Sequence, residues 1–192
     1  MLETFLVVLV VLLLVGLFVV QPFQVQKHTM ENTLMPDQYV LVDKLTPRFD
    51  DFHRGDVVAF NPPAGATQDQ SGALYVDRVI GIGGDTVDIH GGHVYLNGSQ
   101  LTESYVPSTQ ATSMSGGDSK TWKLTAGQLF VMADNRGDKT LPDSRVFGAI
   151  DKASVVGRAW LRYWPMGKFG LIPNATQAPA SSGSPAASNA PW

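Results

Sequence analysis

The chain has 192 residues, with 17 acidic and 14 basic side chains, a formal charge of −3, 44% apolar residues and no cysteine. That length suits one domain with an appendage, and the acidic balance without a basic cluster excludes nucleic acid as a main partner. The missing cysteines exclude a disulfide framework, a thiol nucleophile and any thiolate-ligated metal.

The apolar residues crowd the start. In the first twenty positions only Glu3, Thr4 and Gly16 are not apolar. As a helix, Leu2 to Val20 would reach about 28 Å, close to the hydrocarbon thickness of a bilayer. A cleaved leader wants a cationic start, a shorter apolar run and a small-x-small exit. Here no Lys or Arg precedes the run, and the exit reads Val19-Val20-Gln21-Pro22-Phe23. The expectation is a retained single-pass transmembrane anchor over residues 1–20. Lys27, Lys44, Arg48 and Arg54 all lie beyond it, and this flanking charge does not fix an orientation.

Residues 21–173 read as short β-branched and aromatic runs between Gly, Pro, Asn and Asp. In chain order these are Tyr39-Val40-Leu41-Val42, Asp56-Val57-Val58-Ala59-Phe60, and Leu74-Tyr75-Val76 leading into Arg78-Val79-Ile80-Gly81. Thr86-Val87-Asp88-Ile89, Gly91-Gly92 and His93-Val94-Tyr95-Leu96 form a hairpin pattern, and Asn97-Gly98 turns the chain again. Leu129 to Met132 and Gly157 to Tyr163 supply later strands. No window shows a 3.6-residue period, so the expected fold class is mainly β. Ser108 to Lys120 reads as a long surface loop. Residues 174–192, dominated by Ala, Ser, Pro and Gly, read as a disordered tail.

Four blocks then line up with one family. Thr29-Met30-Glu31-Asn32-Thr33-Leu34, with Asp37 and Val40-Leu41-Val42-Asp43-Lys44 after it, resembles the Ser-Met-x-Pro-Thr-Leu segment of type I signal peptidases. Arg54-Gly55-Asp56-Val57-Val58 resembles their Gly-Asp-Val/Ile-Val strand. Tyr75-Val76-Asp77-Arg78-Val79-Ile80-Gly81-Ile82-Gly83-Gly84-Asp85 is similar to their Tyr-x-Lys-Arg-Val-x-Gly-x-Pro-Gly-Asp block. Asp134-Asn135-Arg136, then Asp143-Ser144-Arg145 and Gly148, resembles their Gly-Asp-Asn-Arg…Asp-Ser-Arg-x-x-Gly block. The resemblance runs from the anchor to about Ile172. It implies a β-rich serine endopeptidase domain behind a membrane helix, on the extracytoplasmic side of the cell membrane. Such enzymes remove signal peptides from exported preproteins, using a Ser hydroxyl and a neutral Lys amine, with no metal or organic cofactor. The implied partners are the membrane and those signal peptides.

Carried over position by position, the nucleophile is Thr29 instead of Ser, and the general base is Asp77 instead of Lys. Lys27, Met30, Arg78, Asp143, Ser144 and Arg145 form the implied scaffold around them. Lys27 stands where the family has Ser or Gly, Asn32 and Gly83 stand where it has Pro, and Lys139 or Leu141 falls where it has a Ser near the base. Asp143 and Arg145, two apart, read as an ion pair shaping the site.

A Thr hydroxyl can serve as nucleophile beside a base, but its β-branch restricts χ1. Asp77 is the harder change. A carboxylate with pKa about 3.9 is a poor acceptor for an alcohol proton, and a carboxyl whose pKa is raised by burial already carries one. Two readings follow: a divergent signal peptidase using Thr29, or a catalytically impaired homologue that keeps fold, anchor and peptide groove. Loss of both dyad positions beside an intact scaffold favours the second.

Overall fold

Unbroken runs of Val, Ile, Ala and Phe belong in strands covered on both faces, since a strand covered on one face alternates. Val57–Phe60 is such a run, and both it and Tyr75–Ile82, which carries Asp77 and Arg78 among its apolar residues, are buried almost throughout. They form the centre of a computed structural model that describes residues 1, 3–10, 19–25, 28–45, 49–66, 74–115, 117, 119–175 and 178–179.

The strands are β1 (Val20–Gln24), β2 (Tyr39–Asp43), β3 (Val57–Phe60), β4 (Tyr75–Ile82), β5 (Thr86–His90), β6 (His93–Leu96), β7 (Ser99–Thr102), β8 (Ser119–Lys123), β9 (Gln128–Met132), β10 (Ile150–Asp151), β11 (Val155–Trp164), β12 (Gly170–Leu171) and β13 (Ala178–Pro179). Eight make an antiparallel sheet in the order β1-β2-β11-β3-β4-β9-β10, with β12 also on β11. The other five make a smaller sheet in the order β13-β7-β6-β5-β8. The fold is mainly β, as the residue pattern implies.

Each face of the large sheet carries its own core. Val40, Val42, Val57, Ala59, Val76 and Ala159 pack with Met30 and Leu34. Val58, Phe60, Val79, Leu129 and Val131 pack with Phe52 and Ile150. The smaller sheet joins through Val87, Ile89, Val94 and Leu96, which meet Ile80, Phe130 and Met132. The expected hairpin is present as β5 and β6, with Gly91 at φ +57° and Gly92 at φ +78°. Both central residues of such a turn need positive φ. Gly157 answers a different demand: a Cβ there would lie 2.3 Å from the Asp43 carbonyl oxygen.

The N-terminal run differs from expectation at its end. Residues 3–10 are helical and residues 11–18 lie outside the described ones. Val19 is in a turn, its carbonyl accepting from Lys44 N at 2.9 Å, and Val20 opens β1 opposite Asp43. Pairing with β2 thus takes Val20 from the expected anchor. Pro22, which lacks an N–H, is tolerated because β1 is an edge strand. Among the described residues no helix is long and apolar enough to cross a membrane.

The expected loop from Ser108 to Lys120 ends early, because Ser119 and Lys120 pair with His90 and Ile89 on β5. Trp122 anchors that strand against Phe130, with ring centroids 4.8 Å apart. In the expected tail, Asn174 Nδ2 donates to Asp56 Oδ1 at 2.8 Å, and β13 pairs with Leu101 and Thr102. Residues 176–177 and 180–192 lie outside the described ones.

Candidate active site

A single 3₁₀ turn, His28–Met30, presents Thr29 to β4. Met30, wholly buried, plugs the turn into the core beside Val76. The Thr29 carbonyl accepts from Asn135 N at 3.0 Å, tying the turn to the block that follows β9. Thr29 is buried, and its Oγ1 donates to the Val76 carbonyl at 3.2 Å. The two dyad positions therefore meet through backbone, one residue short of Asp77.

Asp77 is 0% exposed, and neither carboxyl oxygen has a hydrogen-bond partner. Burial raises its pKa well above the usual carboxylate value; the Asp143 charge adds to this, Arg145 opposes it, and Asp134 and Arg136 act in the same two senses. The charges nearby explain the balance. Arg78 pairs with Asp134 through Nε at 2.9 Å and Nη2 at 2.7 Å. Arg136 pairs with Glu103 at 2.9 and 2.5 Å. Arg145 pairs with Asp143, its Nε lying 3.0 and 2.9 Å from the two oxygens. Each guanidinium already has its carboxylate, so an ionised Asp77 would be a fourth buried anion without a cation. An isolated buried charge of that kind is costly, so burial favours the protonated carboxyl.

Of the scaffold residues, Met30, Arg78, Asp143, Ser144 and Arg145 are buried. Arg78 also donates Nη1 to the Gly55 carbonyl at 2.8 Å, and Tyr105 covers its guanidinium with the ring centroid 4.1 Å away. Asp143 caps the one-turn helix Ser144–Phe147, accepting from Arg145 N, and also accepts from Ala133 N at 3.0 Å. The Ser144 hydroxyl accepts from Val131 N at 2.9 Å. Arg145 Nη1 reaches the carbonyls of Ser113 and Arg136. Asp143 and Arg145 are thus the expected ion pair. Lys27 lies outside the described residues. Lys139 is exposed, its carbonyl accepting from Ser115 Oγ, and His28 is exposed and paired with Glu31.

Two departures from the family pattern have structural correlates. Asn32 adopts φ +92°, a value open to Asn but closed to Pro, whose ring holds φ near −65°. At Gly83 a Cβ would lie 3.0 Å from the Thr125 carbonyl oxygen, against backbone that cannot swing aside. Tyr105 and Glu103 complete the site without having been singled out in the sequence. Tyr105 and Glu103 come from a stretch with no apolar period, and only contact with Arg78 and Arg136 marks them. Among the described residues no cluster of His, Asp and Glu could hold a metal ion.

Chemically, this arrangement offers a hydroxyl that donates to an amide carbonyl, beside a buried carboxyl whose pKa is raised.

The family described as "Signal peptidase, peptidase S26" matches residues 1–164. The chain is 30% identical over 183 residues to "Probable signal peptidase I-2" of Synechocystis sp., covering 94% of this chain and 81% of that protein. "Probable signal peptidase I-1" of the same organism is 31% identical over 177 residues, covering 91% and 86%. "Signal peptidase IB" of Staphylococcus aureus is 30% identical over 176 residues, covering 85% and 87%.

Proposed function

Because the chain belongs to the signal peptidase, peptidase S26, family, we propose that it is a membrane-anchored homologue that receives signal peptides of exported preproteins without cutting them at neutral pH. Its relatives supply the substrate class, since they carry the name signal peptidase. One observation carries the loss of cutting: Thr29 Oγ1 donates to the Val76 carbonyl while the Asp77 carboxyl is buried without a partner. Acyl transfer requires the hydroxyl proton to leave for a base as the oxygen attacks. An amide carbonyl does not take that proton, and a protonated carboxyl cannot.

Anchoring through residues 1–20, with the β domain outside the cytoplasmic membrane, is supported by the apolar run and by the family likeness. Protease added to spheroplasts should then degrade the β domain, and a domain left intact would contradict this topology.

The reading is tested with the full chain in proteoliposomes and a preprotein whose signal peptide carries a photo-crosslinker. The expected product is a cross-link to the chain with the signal peptide uncut. No cross-link above that to a denatured control would overturn the binding half of the reading.

A further inference from the structure

Five of the described arginines, Arg54, Arg78, Arg136, Arg145 and Arg158, each lie within 4.0 Å of a carboxylate. Arg162 does not. It donates Nε to the Lys168 carbonyl at 2.5 Å, and Nη1 to the Thr33 carbonyl at 3.2 Å and to Gln38 Oε1 at 3.4 Å. These neutral acceptors fix the guanidinium in place and leave its charge uncompensated. Lys168, six residues on, has no acidic partner among the described residues either. Both side chains line a surface cavity of about 750 Å³, with Asn32, Gln38 and Tyr105 on its walls and no Asp or Glu.

Lys168 also belongs to a second feature. The turn Met166–Lys168 joins β11 to β12, and the apolar side chains around it face solvent: Trp164 is 52% exposed, Met166 71% and Phe169 61%. Apolar side chains around a single lysine, with a tryptophan at the margin, match the depth profile of a bilayer interface. There apolar groups enter the acyl boundary, Trp rests at headgroup level, and Lys reaches toward phosphate.

We propose that the cavity between Arg162 and Lys168 holds the phosphate of an anionic phospholipid headgroup, with the Trp164–Phe169 turn seated in the adjoining membrane interface. Arg162 Nη2, which takes no part in those three hydrogen bonds, offers a charged donor to a phosphate oxygen, and Lys168 adds a mobile point charge. A soluble phosphate ester would satisfy the cations and leave the apolar turn in water. A lipid satisfies both. Basic pockets at the membrane surface commonly take such headgroups, each Lys or Arg contributing about fivefold in affinity.

Native mass spectrometry of the full chain released from neutral detergent, with phosphatidylglycerol or phosphatidylcholine added, tests this. The apolar N-terminal residues meet both lipids alike, so the difference between lipids is the readout. Retention of phosphatidylglycerol should exceed that of phosphatidylcholine by about fivefold or more, and Arg162→Gln should remove the excess. Arg162 also braces Thr33 and Gln38, so the exposed Lys168→Glu serves as a second variant and should reduce the excess at least about fivefold without unfolding the chain. Equal retention of the two lipids, or an excess unchanged by Lys168→Glu, would overturn the proposal. Thermal stabilisation by inorganic phosphate with no retention of phosphatidylglycerol would assign the cavity to a soluble phosphate ester and overturn it as well.

Discussion

The hydroxyl of Thr29 donates to the carbonyl of Val76 at 3.2 Å, leaving both oxygens of the next side chain, Asp77, without a hydrogen bond. A nucleophile and a base that share a proton would have to lie within hydrogen-bond reach of each other. Here the strand backbone comes between them, and the charges around Asp77 decide what that side chain can be. With Asp134, Glu103 and Asp143 already matched to Arg78, Arg136 and Arg145, position 77 tolerates a neutral group. A deprotonated Lys amine is neutral and basic. A protonated Asp is neutral and not basic.

The raised pKa of Asp77 has a consequence for stability. A carboxyl that keeps its proton when folded but loses it near pH 3.9 when unfolded stabilises the fold fully below that value. Its contribution declines as pH rises toward the folded pKa. Each pH unit in that interval costs about 1.4 kcal/mol. Denaturant unfolding of the full chain in detergent should show stability falling as pH rises above about 4, and Asp77→Asn should flatten that slope. An unchanged slope in the variant would mean that Asp77 ionises in the fold.

Removing one partner of a buried pair leaves the other uncompensated. Asp134→Ala strips the carboxylate from Arg78, whose guanidinium is fully buried. The expected loss of stability is about 3–5 kcal/mol, measured by chemical denaturation. A loss below about 1 kcal/mol, the scale of an exposed ion pair, would contradict the burial of this pair.

At position 32 the backbone sits at φ +92°. Asn32→Pro, which restores the family residue, should therefore destabilise by about 3 kcal/mol or more, while Asn32→Gly should be close to neutral. Thermal midpoints of the two variants check this directly. A stabilising proline would show that the turn after Thr29 follows a different path.

Much of this architecture is legible in the residues themselves. The β5–β6 hairpin follows from Gly91-Gly92 between alternating runs, β3 from unbroken apolar content, and β4 from β-branched and aromatic residues on either side of Asp77 and Arg78. β1 and β7 were not legible, because Gln21, Pro22, Ser99 and Gln100 give neither alternation nor β-branched content. At the site, the blocks place Thr29, Asp77 and Arg78, and spacing pairs Asp143 with Arg145, but local sequence does not say which carboxylates Arg78 and Arg136 meet. Arg78 and Asp134 are 56 positions apart, and Glu103 finds Arg136 only through the packing of the two sheets. The raised pKa of Asp77 comes first from burial and then from Asp143, against Arg145, and only the folded chain supplies these surroundings.

Restoring the dyad separates lost reacting groups from a lost site. The amine introduced by Asp77→Lys would be buried, and desolvation would favour its neutral form, with Arg145 and Arg136 acting in the same sense and Asp143 and Asp134 against it. With Thr29→Ser this should restore cleavage, but weakly. The turn after Thr29 follows the Asn32 path, no hydroxyl is retained to orient the amine, and errors near 1 Å can reduce rates about 10²-fold. Adding Lys27→Ser, which returns a small donor to the position two residues before the nucleophile, should raise the rate further. Rates equal to those of an active relative from the double variant alone would show that the surroundings never drifted.

The central claim, that no base serves Thr29, is tested most directly by preprotein cleavage with the unmodified full chain in proteoliposomes at neutral pH. The account predicts no mature product above the background of Thr29→Ala. Cleavage at the signal peptide junction that disappears in Thr29→Ala would contradict it and establish Thr29 as a working nucleophile.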